Sequence, residues 1–209
     1  MSERRGRYIV WEGSDGVGKG TTMRMALDES KRRGIPTLAV REPGGTELGR
    51  VMRDILLHGE SLDPETEQAL FTADRSHLAR RIIQPALEQG IDVHSDRNYW
   101  SGIAYQGAGG LDTELIVKAT ELFMPEWYVT PDIGIVLQLD TQERLRRKLM
   151  AAGGTAGLDR MEKKDQEFFR AVDTLYEQQV VRRFGAHGIS ALGSPDEVFA
   201  RVKPLLFKD

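Results

Sequence analysis

A short segment near the start of the chain, Gly13-Ser14-Asp15-Gly16-Val17-Gly18-Lys19-Gly20-Thr21-Thr22, has the residue types and spacing of a phosphate cradle. Glycines let successive backbone N–H groups turn inward around phosphate oxygens, and a helix opening behind them adds favourable partial charge. Lys19 is spaced to reach the β- and γ-phosphates of a nucleotide. A hydroxyl residue usually follows such a lysine and binds Mg²⁺; here Gly20 intervenes, so Thr21 is the expected hydroxyl for the metal or the α-phosphate. Such cradles serve GTPases, motors, helicases and small-molecule kinases alike. The Asn-Lys-x-Asp element of guanine-specific proteins is absent, which disfavours a regulatory GTPase.

Other residues could complete a site. Phe71 and Arg75 stand four apart in a helical pattern and so share one face, where a ring can stack on a base and a guanidinium can donate to a base carbonyl. A core phenylalanine beside a surface arginine is the plainer alternative. Arg41 and Arg97 each follow a predicted strand, where an open α/β sheet puts its ligand crevice, and two such forks could clamp a phosphate. Asp96 ends a strand and is expected to hold Mg²⁺ through water or to orient Arg97. The cluster Arg144, Arg146, Arg147 and Lys148 reads as a solvated charged face, with Glu143 and Arg147 spaced for a helix-surface pair. Trp11 and His94 read as structural, since His94 has no companion histidine at metal-ligand spacing.

These residues need a frame, and short apolar runs alternating with helical stretches supply an α/β pattern with a mainly parallel sheet. Strands are expected at Tyr8–Trp11, Thr37–Val40, Ile91–His94, Ile133–Leu139 and Ile189–Leu192. Helices are expected from Lys19 to about Arg33, from Pro64 to Gln89 with a kink at Pro85, and over Thr113–Phe123, Gln142–Met150, Met161–Arg183 and Pro195–Leu206. The uncharged glycine-rich stretch Ala151–Gly157 reads as a mobile loop between two helices.

The 209 residues suit one domain, and 29 Lys+Arg against 32 Asp+Glu leave no single-sign field for nucleic acid or an anionic membrane. With no cysteine, disulfides, thiolate metal sites and a cysteine nucleophile are excluded, and the cytoplasm is the expected compartment. No signal peptide or membrane span is apparent.

Beyond the cradle, four segments recur in a recognisable order: Arg41-Glu42-Pro43-Gly44-Gly45-Thr46, Phe71-Thr72-Ala73-Asp74-Arg75, Asp96-Arg97 with Ser101 and Ala104-Tyr105-Gln106, and Leu158-Asp159-Arg160-Met161-Glu162. In this order and at these separations the chain, from Tyr8 to about Gln178, resembles the thymidylate kinases. The resemblance implies a five-stranded parallel sheet flanked by helices, one domain over 1–209 with a mobile lid at about 151–160, and a homodimer. It further implies transfer of the γ-phosphoryl group of ATP to dTMP with Mg²⁺. By resemblance Phe71 stacks on thymine, Arg75 reads the base, Tyr105 and Gln106 flank sugar and base, and Ser101 belongs to the substrate-binding set. Arg41 and Arg97 meet the acceptor phosphate, Asp15 approaches the 3′-hydroxyl, and Arg160 swings in from the lid to join Lys19 and Arg97. This chain departs from the pattern in lacking an arginine in the cradle and in a lid that is neutral until Arg160, for which the nearby Arg144, Arg146, Arg147 and Lys148 could compensate. A kinase for another 5-substituted dUMP, such as 5-hydroxymethyl-dUMP, shares every phosphate and sugar contact, and the Asn98-Tyr99-Trp100 run could reflect such a change. A non-catalytic nucleotide-binding protein could use the same fold.

Overall fold

The computed structural model describes residues 5–140, 142–144, 146, 147 and 166–207. Five parallel strands form one sheet in the order β2-β3-β1-β4-β5: β1 Tyr8–Glu12, β2 Thr37–Arg41, β3 Asp92–Asp96, β4 Ile133–Gln138 and β5 His187–Ser190. Strand β1 is central and buried throughout, which is why it reads as a continuous apolar run rather than an alternating one. Side chains still alternate between its two faces. Tyr8 and Val10 enter one hydrophobic core, while Ile9 and Trp11 enter the other.

Helices cover both faces: α1 Lys19–Arg32, α2 Glu47–His58, α3 Pro64–Leu78, α4 Gln84–Glu88, α5 Tyr99–Ala108, α6 Thr113–Phe123, α7 Glu126–Val129, α8 Gln166–Leu175 and α9 Pro195–Leu206. The sheet changes direction around β1, since the chain builds β2 and β3 on one side and β4 and β5 on the other. The carboxyl end of β1 is therefore where a ligand crevice is expected, and the cradle begins there.

All five expected strands are present with ends within two residues, and β5 as a whole lies two residues earlier than expected. Its register against β4, His187 beside Ile135 through Ser190 beside Gln138, decides its place rather than its hydrophobicity. The expected helix from Pro64 to Gln89 runs without a break to Glu88, with a π-helical turn over Ala79–Ile83 just before Pro85. Proline has no N–H to continue the ladder, and the Gln84 N–H reaches back to the Ala79 carbonyl instead. A second π-helical segment, Tyr176–Arg183, follows α8.

Helices α2, α5 and α7 were not expected. Helix α5 is buried along most of its length, so its sequence lacks the polar–apolar contrast that reveals a helix. Helix α2 did carry a signal, in Thr46, which caps it by accepting from the Gly49 N–H at 2.9 Å, and in Leu48, Val51, Met52 and Ile55 at helical spacing.

Trp11 and His94 are structural, as expected. The indole N–H of Trp11 donates to His94 Nδ1 at 3.1 Å, which requires that nitrogen to be unprotonated. Burial pushes the His94 imidazole down to about 4. Unfolded histidine binds its proton near pH 6.5, so acid favours the unfolded chain: the contribution of neutral His94 is complete above about pH 6.5 and is lost as pH falls toward 4. In denaturant melts from pH 7 to 4 the wild type should lose stability relative to His94→Gln through this window, so the difference between the two curves, rather than either alone, reads the His94 contribution.

Candidate active site

The cradle departs from ordinary backbone geometry at three glycines, with φ of 131° at Gly13, 89° at Gly16 and 92° at Gly18. At Gly13 glycine is also required by space, because a Cβ would lie 2.5 Å from the Leu137 carbonyl oxygen. Lys19 opens α1, and its Nζ meets Asp96 Oδ1 at the end of β3, 2.5 Å away. Burial works to raise the Asp96 carboxyl, but Lys19 and Arg97 hold it below its ordinary value. Thr21 sits half-buried on the first turn of α1.

Next to the cradle lies a cavity lined by Asp15, Glu42, Pro43, Arg53, Leu57, Phe71, Arg75, Arg97, Ser101, Tyr105 and Gln106. Most of the site residues read from sequence therefore converge. Phe71 and Arg75 enter from one face of α3, the guanidinium lying over the ring at 5.0 Å. Ser101, Tyr105 and Gln106 enter from α5, and the Gln106 amide donates to Glu67 Oε2 at 3.0 Å.

Arg97 crosses between the two groups. Its backbone has φ of 77°, a conformation seldom adopted outside glycine, and it is pinned by its N–H on the Trp11 carbonyl (2.9 Å) and by Ser95 Oγ donating to its carbonyl (2.7 Å). The guanidinium donates to Asp15 Oδ1 (2.7 Å), Ser101 Oγ (3.0 Å) and Tyr176 Oη (3.2 Å), and lies over the Tyr105 ring at 5.3 Å. Burial opposes its charge, but Asp15 leads a set of neighbours that raise its pKa well above the ordinary value.

Arg41 is elsewhere. It lies exposed in a neighbouring groove with Gly20, Arg24 and Asp96, so the two-fork clamp read from sequence does not form from Arg41 and Arg97. Alternation explains this, since Val40 and Glu42 on either side are buried and Arg41 must face out. Arg53, from the unexpected helix α2, enters the cavity instead and donates to the Pro43 carbonyl at 3.1 Å. Asp96 pairs with Lys19, and it is Asp15 that grips Arg97. Arg160 and the lid at about 151–160 lie outside the described residues.

Two buried acids escaped the sequence reading. Glu12, at zero exposure, accepts from the Asn98 N–H (2.9 Å), the Ser101 N–H (3.1 Å), Ser101 Oγ (2.7 Å) and Tyr176 Oη (2.8 Å), with Arg97 Nη1 at 3.6 Å. Glu42 accepts from Tyr128 Oη at 2.5 Å and stands 3.5 Å from Arg75 Nε. Burial pushes the Glu42 carboxyl up to about 8 against the pull of Arg75. Near neutrality the acid is then mostly protonated, and this pair is weaker than its separation alone implies.

The charged cluster after β4 divides. Arg146 and Arg147 pair with Glu143 at 2.7 and 2.8 Å, as a helix surface would. Arg144 does not. It is buried, lies over the Phe169 ring at 4.9 Å, and donates to the Asp15 carbonyl of the cradle at 3.3 Å.

The family model for thymidylate kinase matches residues 11–202. The chain belongs to the thymidylate kinase family. It is 36% identical over 203 residues to the thymidylate kinase of a Synechococcus strain, covering 93% of this chain and 91% of the relative. It is 34% identical over 206 residues to that of Francisella philomiragia, covering 97% and 98%. The crystal structure of the Ehrlichia chaffeensis thymidylate kinase superposes with a TM-score of 0.76 at 27% identity, covering 97% of this chain and 98% of that one. Membership in the thymidylate kinase family makes the chain a nucleoside monophosphate kinase, an ATP-dependent phosphotransferase. No helix among the described residues is long and apolar enough to cross a membrane.

The Glu12 hub predicts a stability defect. Glu12→Gln puts an amide donor where N–H and O–H groups converge, leaving buried donors opposed, at a cost of about 1–3 kcal/mol. Equilibrium denaturation should register that loss, with Glu12→Ala no milder.

Proposed function

We propose that this enzyme moves the γ-phosphoryl group of ATP to the phosphate of dTMP, giving dTDP and ADP, with ATP in the cradle over Gly13–Thr21 and dTMP in the adjoining cavity. One observation carries the reading: a single cavity runs from the cradle carboxylate Asp15, past Arg97, to the Phe71–Arg75 pair. An acceptor spanning it would lay its base on Phe71, offer a carbonyl to Arg75, and bring its phosphate toward Arg97 and the nucleotide. Arginine only donates, so Arg75 favours a base edge with an acceptor. Tyr105, its hydroxyl unpartnered among the described residues, packs with Arg97 and Tyr176, where its ring would crowd a ribose 2′-hydroxyl.

The acceptor needs no strong general base, because its second ionisation lies near about pH 6. Catalysis is positioning and charge stabilisation. Lys19 and Arg97 meet the phosphates, Asp15 orients Arg97 and faces the sugar, and Arg160 arrives from a lid over about 151–160. Mg²⁺ suits the donors present, since Asp96 is a partly exposed carboxylate kept ionised beside Lys19 and Thr21 offers a hydroxyl on the first turn of α1. Asp96 and Thr21 would hold it together with phosphate oxygens and water, and when bound it neutralises phosphate charge. A homodimer is supported by Leu115, Leu122 and Phe123, exposed on α6 beside an apolar groove against α3. The cysteine-free composition supports a cytoplasmic location for one domain over 1–209.

ADP release measured across a panel of nucleoside monophosphates tests the reading. dTMP should lead the ribose counterpart, the purines and 5-hydroxymethyl-dUMP, and Lys19→Ala should lose turnover while remaining folded by circular dichroism. Equal rates on AMP and dTMP would contradict the pocket, and a near-normal Lys19→Ala would end the cradle assignment.

The arginines separate by kinetics. Arg160→Ala should lower kcat by about 10³ with little change in acceptor KM, the pattern of an interaction made in the transition state. Arg147→Ala, already paired with Glu143, should stay near wild type. Arg144→Ala should act chiefly on ATP.

A further inference from the structure

The link between Arg144 and the cradle runs through one acid on α8. Asp173 Oδ1 accepts from Ser14 Oγ at 2.6 Å, and Oδ2 faces Arg144 Nη2 at 3.7 Å. One turn earlier on the same helix, Phe169 supports the guanidinium at 4.9 Å, so residues 169 and 173 grip Arg144 from one helix face. Arg144 is 2% exposed and its Nε has no partner among the described residues. A buried guanidinium is costly unless counter-charged, and a separation of 3.7 Å supplies charge without a close directional bond. Among the described residues, one of its five N–H donors reaches the Asp15 carbonyl. This arginine is thus desolvated and held against the phosphate loop, with its Nε left unspent among the described residues.

We propose that Asp173 is a positioning residue for ATP: by holding Ser14 with one oxygen and counter-charging Arg144 with the other, it fixes the cradle's first turn and presents Arg144 to the nucleotide phosphates. The proposal rests on the reading that residues 13–21 hold ATP. It answers the missing cradle arginine, since a guanidinium from the segment after β4 reaches the loop that lacks its own. It also joins the two halves of the site, because Asp15 takes Arg144 on its carbonyl and Arg97 on its carboxylate.

Asp173→Asn separates the two contacts. The amide oxygen still accepts from Ser14, while the charge facing Arg144 is removed and a donor is set against it. With dTMP saturating and ATP varied, kcat/KM for ATP should fall about 10- to 100-fold, the scale of a misplaced reacting group, while KM for dTMP moves less than about twofold. Arg144→Gln should give a similar loss, and the double variant should be no worse than Arg144→Gln alone, since the acid acts through the arginine. If Asp173→Asn fails to fold, Ser14→Ala removes only the hydroxyl and should raise the ATP KM at least about threefold. Lower melting temperatures with kcat/KM for ATP within about twofold of wild type would reduce Asp173 to a brace and overturn the proposal, as would additive losses in the double variant. Lys19→Ala in the same assay keeps the outcomes distinct. An active Lys19→Ala means the cradle reading failed, whereas an inactive one beside a normal Asp173→Asn means only the positioning role failed.

Discussion

Much of the site hangs on a carboxylate with no access to water. Glu12 ends the central strand, and donors from three other segments converge on it: the β3–α5 turn through Asn98, α5 through Ser101, and the second π-helical segment through Tyr176. A buried acid in this position is tolerable only because its lone pairs are filled, and filling them fixes where α5 starts and where Arg97 can lie. The left-handed backbone at Arg97 follows from the same constraint. The chain must leave β3, bring Asn98 and Ser101 onto Glu12, and keep the Arg97 side chain in the cavity, and the surrounding hydrogen bonds hold that conformation against its intrinsic cost.

The sheet sorts the remaining charges by parity. At the end of β2, Val40 and Glu42 turn inward and Arg41 turns out, so an acid lines the cavity beside the cradle while the arginine next to it lines a separate groove. The same geometry leaves room for Arg53 of α2 at the cavity wall. A side chain's place after a strand thus depends on which face it inherits, and adjacency to a neighbouring strand end is not enough to bring two forks together.

What could be read from sequence was local. The cradle is a contiguous stretch whose glycines and lysine act through nearby backbone, and Phe71 with Arg75 needs only the helical repeat to share a face. Four of five strands were placed closely because their apolar runs are short and bounded. What escaped was long-range. Glu12 looked like an interruption of an apolar strand, and nothing near it announces that Tyr176, across most of the chain, will donate to it. Arg144 sits among basic residues at surface-like spacing, and only the packing of α8, with Phe169 beneath it and Asp173 beside it, draws it into the interior. Helix α5 was hidden for the opposite reason, since burial of most of its circumference erased the pattern by which helices are recognised.

Three of the cations facing the site carry their own acid: Lys19 has Asp96, Arg97 has Asp15 and Arg144 has Asp173, whereas burial pushes Glu42, behind Arg75, toward its neutral form. This is how a chain of net charge −3 can hold a concentrated cationic site without a large external field. The pairing has a mechanical consequence. In a low-dielectric crevice an unpaired guanidinium or ammonium would be strongly destabilised, so the acids keep these groups in place before any phosphate arrives. A bound phosphate then either displaces an acid or adds to an existing pair. The distances differ in what they permit: at 2.5 Å Asp96 engages Lys19 fully and must yield or share, whereas at 3.7 Å Asp173 leaves Arg144 close enough to be counter-charged and free enough to donate. Rigidity and residual donor capacity are thereby assigned to different arginines and lysines, and their division follows from which strand end or helix face supplies the acid.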